Sequence, residues 1–167
     1  NYSTQGLFKR EQTRSVEESP GVLVQAEPFS SGAIFNFTRA TLEVYFLAPD
    51  VVRISWSPGQ APLPYALADE KWPEAEVNLE PKNRKWKLES ESLSLSIADN
   101  GAISFKDFDN HVLRRTMPPA RRGNAWKDRA YLHPRERIHG LGERAAALNL
   151  RPGTYCMWNQ DPRGSYA

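Results

Sequence analysis

From residue 21 onward, apolar and polar positions alternate in short runs. Val22, Val24 and Ala26 alternate with Leu23, Gln25 and Glu27. A second run covers residues 33–38. Leu42, Val44 and Phe46 then alternate with Thr41, Glu43 and Tyr45, and Val52, Ile54 and Trp56 with Arg53, Ser55 and Ser57. Each run is bounded by Gly, Pro, Asp or Ser. A period of two, cut off at turn residues, predicts half-buried β-strands. Residues 58–73 hold Pro58, Gly59, Pro62, Pro64 and Pro73 and read as a long loop. Strands resume at 75–79 and 85–89. Next, Leu93, Leu95 and Ile97 alternate with Ser92, Ser94 and Ser96, a serine face beside an apolar face. Asp99-Asn100-Gly101 supplies residues that tolerate positive φ in a tight turn. Residues 102–105 return, and a second turn at 107–110 leads to Val112 and Leu113. Residues 84–115 therefore predict a three-stranded meander. With at least eight strands, the expected fold is an all-β, antiparallel β-sandwich. Residues 1–19 carry few apolar side chains and read as a flexible lead-in or a loosely docked first strand, with the sandwich over 20–167.

Composition agrees with this. Thirteen prolines in 167 residues exceed the usual level of about 5%, and proline breaks helix interiors. No apolar run approaches the roughly 18 residues of a membrane span, so no membrane partner is expected. The single Cys156 allows no intramolecular disulfide and no cysteine-rich metal site, which suits a reducing compartment such as the cytoplasm. The chain opens on Asn1, and no charged-then-apolar leader follows it.

The near-neutral total hides an asymmetry. Residues 111–151 hold ten basic and three acidic side chains, whereas residues 61–100 hold five basic and eight acidic ones. A basic stretch is one mark of nucleic-acid binding. Here few aromatics are interleaved and no reader motif accompanies it, so a solvated face with some arginines paired to acids is the better reading. No nucleic-acid partner is expected.

Candidate chemistry is sparse. Gly140-Leu141-Gly142-Glu143-Arg144-Ala145 matches the dinucleotide glycine pattern, but the polar residues before it cannot form a buried parallel strand. His111, His133 and His139 lack metal-site spacing, and no nucleophile elbow is present. No metal and no cofactor is expected. The segment Tyr155-Cys156-Met157-Trp158-Asn159-Gln160-Asp161 is the most informative. A short apolar run delivers an indole, two amides and a carboxylate to one loop. A pyranose needs this mixture: an aromatic face for its C–H side, and amide and carboxylate groups for its hydroxyls. Taken alone, Trp158 at the end of a strand reads as core rather than as a ligand platform.

Ile138-His139-Gly140-Leu141-Gly142-Glu143-Arg144, then Leu148-Asn149-Leu150-Arg151, then Tyr155 to Asp161 and Tyr166, resembles the N-terminal domain of glycoside hydrolase family 31, the α-glucosidases and α-xylosidases. Lys87 to Leu113, and Val52-Arg53-Ile54, resemble the same family more loosely. The resemblance implies a sandwich of the galactose-mutarotase-like type. Its partner would be a C-terminal (β/α)₈ barrel that carries both catalytic aspartates and acts on an α-linked oligosaccharide with retention. Asp161 is similar to the carboxylate that contacts the bound sugar, with Trp158, Asn159 and Gln160 holding or flanking that loop. Glu143 and Arg144 would brace it. Arg151-Pro152-Gly153 departs from the usual spacer. The chain stops at Ala167, before any barrel. Retaining hydrolysis needs two carboxyls about 5–5.5 Å apart, so no catalytic residue is assigned and this chain alone is expected to be silent. The alternative is a free-standing carbohydrate-binding module.

Overall fold

The computed structural model describes residues 16–59, 74–140 and 147–155. They form eleven strands and, among the described residues, no helix: β1 Leu23–Phe29, β2 Gly32–Phe37, β3 Thr41–Ala48, β4 Val51–Ser57, β5 Asn78–Lys82, β6 Lys85–Glu89, β7 Leu93–Ala98, β8 Ile103–Asp107, β9 Val112–Arg115, β10 Ala120–Arg122 and β11 Ala125–Lys127. β1 to β4 make one sheet in chain order, β5 to β9 a second, and β10 and β11 a hairpin. Every pairing is antiparallel. All eleven strands lie in a unit that runs to Tyr131, and a second unit begins at Leu132.

The alternation explains the packing. Phe35, Leu42, Val44 and Phe46 of the first sheet are fully buried in one cluster with Leu88, Leu95, Ile97 and Ile103 of the second. Successive side chains of a strand point to opposite faces, so the intervening Glu43, Tyr45, Ser96 and Ser104 fall on the outer faces. This is the all-β sandwich the pattern predicts.

Four features differ from the sequence expectation. The register of β1 on β2 shifts between Leu23 and Gln25. This bulge turns Leu23 and Ala26 onto the core and leaves Val22 and Val24 61% and 69% exposed. One inserted residue inverts the face of everything before it. The predicted strand at 75–79 begins instead at Asn78 and runs to Lys82, with Ala75 buried ahead of it. The meander over 84–115 has four strands rather than three, because Val112–Arg115 pairs with β8, with a register shift between Phe105 and Lys106. The β10–β11 hairpin was hidden inside the basic stretch, where three-residue strands carry no usable period.

The predicted turn at 99–101 is present. Gly101 has φ +85°, its N–H donates to the Ala98 carbonyl, and Asn100 Oδ1 accepts from the Ala102 N–H at 3.1 Å. A Cβ at 101 would sit 3.0 Å from the Trp56 ring, so the turn needs glycine for space as well as for backbone sign. In the next turn Asp107 accepts from the His111 N–H at 2.8 Å and lies 3.1 Å from His111 Nδ1. Desolvation pushes the Asp107 carboxyl up, but these bonds and the charge of His111 together hold it below its ordinary value.

Residues ahead of β1 are tied to the β10–β11 hairpin. Glu18 exchanges both backbone hydrogen bonds with Arg121. Its carboxylate meets Arg121 at 2.7 Å, and Glu17 meets Lys127 at 3.0 Å. Arg114 pairs with Asp128 at 2.8 Å. Part of the basic stretch is thus neutralised, by Glu17 and Glu18 from ahead of β1 and by its own Asp128.

Candidate functional site

Glu143, Arg144, Trp158, Asn159, Gln160 and Asp161 all lie outside the described residues, as do Cys156 and Tyr166. What is described is the frame on which the first block hangs and the approach to the second.

The frame lies wholly within the unit that begins at Leu132. The Leu150 N–H donates to the Ile138 carbonyl at 2.8 Å. Asn149 Oδ1 accepts from the Ile138 N–H at 3.2 Å and from the Arg151 N–H at 3.3 Å. The imidazole of His139 meets the Leu148 carbonyl through Nδ1 at 2.7 Å, so this nitrogen carries the proton. Residues 138–140 are therefore clasped to residues 148–150, and the Gly-Leu-Gly-Glu-Arg block spans the gap between them. Gly140 closes the described side with φ +98°.

Arg151 anchors the clasp from behind. Its Nη1 donates to the carbonyls of His133 and Glu136, at 2.9 and 2.7 Å. Those carbonyls belong to a small turn in which Glu136 Oε2 accepts from the His133 N–H at 2.9 Å and His133 Nδ1 accepts from the Arg135 N–H at 3.2 Å. A guanidinium suits this job because its donors are planar and always charged. After Arg151 the chain turns through a cis Arg151–Pro152 peptide. The Tyr155 ring then folds over Gly153, where a Cβ would lie 2.5 Å from it. The Arg-Pro-Gly spacer is thus a compact turn closed by Tyr155, which leads directly into the Trp158–Asp161 segment.

The roles of Asn149 and Arg151 have no signature in the sequence. Their bonds run to backbone atoms, which leave no mark in side-chain spacing. His133 and His139 hold backbone groups, and His111 holds Asp107. No group of three His, Cys, Asp or Glu side chains suited to a metal ion occurs among the described residues.

Of the segment 58–73, expected to be a long loop, only Pro58 and Gly59 lie among the described residues. Trp126 Nε1 donates to the Pro58 carbonyl at 2.8 Å, and Gly59 packs so close that a Cβ would sit 2.9 Å from the Trp56 carbonyl oxygen.

The glycosyl hydrolase 31 N-terminal galactose mutarotase-like domain matches residues 41–166. The chain belongs to that family. Among solved structures, the GH31 dextranase of Flavobacterium johnsoniae is similar in two forms. A mutant complexed with isomaltotriose superposes with a TM-score of 0.76 at 17% identity. The enzyme complexed with glucose gives 0.72 at 18% identity. Each match covers 87% of this chain but only 19% of the dextranase chain. No curated protein matches.

Proposed function

We propose that this chain is the non-catalytic N-terminal sandwich of a larger glycoside hydrolase family 31 enzyme, and that it lends a loop to the sugar site of a retaining α-glucosidase-like barrel. The family match over 41–166 carries the reading, because it spans both the Gly-Leu-Gly-Glu-Arg block and the Trp-Asn-Gln-Asp block. The clasp at 138–150 supports it, since it provides a hydrogen-bonded mount for the first block. In this reading Asp161 bonds a sugar hydroxyl, Trp158, Asn159 and Gln160 flank it, and Glu143 and Arg144 brace the loop. The dextranase relative suggests an α-linked glucan as the substrate.

The experiment is Asp161→Ala in the intact parent enzyme. The expected result is a fall in kcat/KM of at least about tenfold, as for the loss of one charged hydrogen bond, with an unchanged melting temperature. Unaltered kinetics would remove the sugar contact. The 167-residue chain alone is expected to give no turnover of an aryl α-glucoside, and turnover proportional to protein would overturn the non-catalytic assignment. Glucan affinity in a chain that occurs free in the cell would favour the binding-module alternative.

A further inference from the structure

The β5–β6 hairpin breaks two local rules at once. Lys82 and Lys85 stand directly opposite each other in the ladder, where like charges repel. The two turn residues between them, Asn83 and Arg84, both have positive φ, at +47° and +62°. Asn tolerates that region, but Arg is strained where Gly is the ordinary choice. Three cations therefore crowd a four-residue tip. Among the described residues, Lys82, Arg84 and Lys85 make no ion pair. Departures of this kind with no gain for the fold point to a functional site.

The surface around the tip is concave. A depression of about 380 Å³ is lined by Lys82, Lys85, Lys87, Lys106, Ser94 and Ser96, together with Asn83, Trp86 and Asn110, within the range of about 300–1,000 Å³ typical of small-molecule sites. The ladder builds its floor. Lys106 faces Ser94, Lys87 faces Ser96, and Ser96 faces Ser104, all on the outer face of the five-stranded sheet. Lys87 is held by Glu89, whereas Lys82, Lys85 and Lys106 make no ion pair among the described residues. The depression continues past Ser104 to Arg115. On the far side of the tip, a second depression includes Arg84. Asp99 is the one acid lining any of the three.

We propose that this face binds an anionic saccharide, with Lys82, Lys85 and Lys106 holding a sulfate or phosphate ester and the serine floor bonding the sugar hydroxyls. The ammonium groups supply charge-assisted donors for the oxyanion. Serine hydroxyls both donate and accept, which matches a saccharide better than a bare ion. Trp86 turns toward the core cluster, so the depression lacks the row of exposed aromatics on which a single nucleic-acid strand stacks. The site is independent of the role given to Asp161.

The test is titration calorimetry of the 167-residue chain with dextran sulfate, neutral dextran, inorganic sulfate and a DNA oligonucleotide. Dextran sulfate is expected to bind in moderate salt, and neutral dextran not to bind at this face. Lys85→Gln/Lys106→Gln should weaken the binding of dextran sulfate at least tenfold with no fall in melting temperature, since it also relieves the Lys82–Lys85 repulsion. Arg84→Gly should weaken that binding less, because Arg84 lines only the neighbouring depression, while raising the melting temperature by relieving a positive φ; a purely structural turn would show only the second effect. Equal binding by the wild-type chain and both variants would overturn the proposal. So would inorganic sulfate binding as tightly as the polymer. Equal affinity for the oligonucleotide with the same lysine dependence would also overturn it.

Discussion

The indoles of Trp56 and Trp126 stack with centroids 4.9 Å apart and planes 29° from parallel. The stack fastens the β10–β11 hairpin to β4. Trp56 also meets Phe37 at 5.3 Å, so the aromatic row runs from the core of the first sheet out to the hairpin. The indole N–H of Trp126 closes the arrangement on the Pro58 carbonyl.

Trp126→Phe keeps part of the stack and loses that hydrogen bond, so it should cost about 1 kcal/mol. Trp126→Ala loses both. For a half-buried indole that should be about 2–3 kcal/mol. Urea unfolding with an unchanged m-value is the measurement. Equal stability of the two variants would mean that the ring contributes nothing.

The Ser31 hydroxyl is buried with no hydrogen-bond partner among the described residues, in the turn ahead of β2. An unpaired buried hydroxyl carries its desolvation cost without return. Ser31→Ala should leave stability unchanged or raise it by up to about 1 kcal/mol, read as a higher denaturation midpoint. A loss of more than about 1 kcal/mol would show that the hydroxyl is satisfied in solution.

The attachment of residues 16–18 should depend on pH. The hydrogen bond and charge of Lys127 hold the Glu17 carboxyl below its ordinary value of 4.5. A depressed folded-state pKa adds stability that is present above the ordinary value and is lost as pH falls through the lower folded one. Hydrogen exchange at the Glu18 amide should therefore stay slow near neutral pH, after correction for the intrinsic rate. Protection should fall once the pH drops below about 4.5. Lys127→Met should weaken the dependence, and high salt should screen it.

Asn149→Ala removes an acceptor shared by the Ile138 and Arg151 amides. Exchange at Ile138 should speed up by about tenfold, equivalent to about 1.4 kcal/mol of local stability. The global unfolding midpoint should not move. Arg151→Ala should release the His133–Glu136 turn in the same local way. Loss of global stability in either variant would show that the clasp belongs to the main cooperative unit.

Most of the sandwich was legible because alternation is a local signal: Leu42, Val44 and Phe46 declare their face within six residues. Val22 and Val24 misled for the same reason. A bulge is a property of two paired strands, and no single strand's period reveals it. The six candidate loop residues rested on a family likeness in short blocks. The residues that mount the first block, Asn149 and Arg151, act through backbone carbonyls and amides. Such bonds have no compositional trace.

The sequence by itself determined the class: period-two runs, frequent proline and well-placed turn residues leave a β-sandwich as the way to bury the apolar faces. Only the tertiary structure decided which faces meet, what Trp126 stacks on, and that Lys82, Lys85 and Lys106 converge on one serine-floored depression. The physical reason is range. Strand formation depends on neighbours along the chain, whereas packing, ion pairing and charge crowding depend on neighbours in space, which strand pairing and sheet packing bring together.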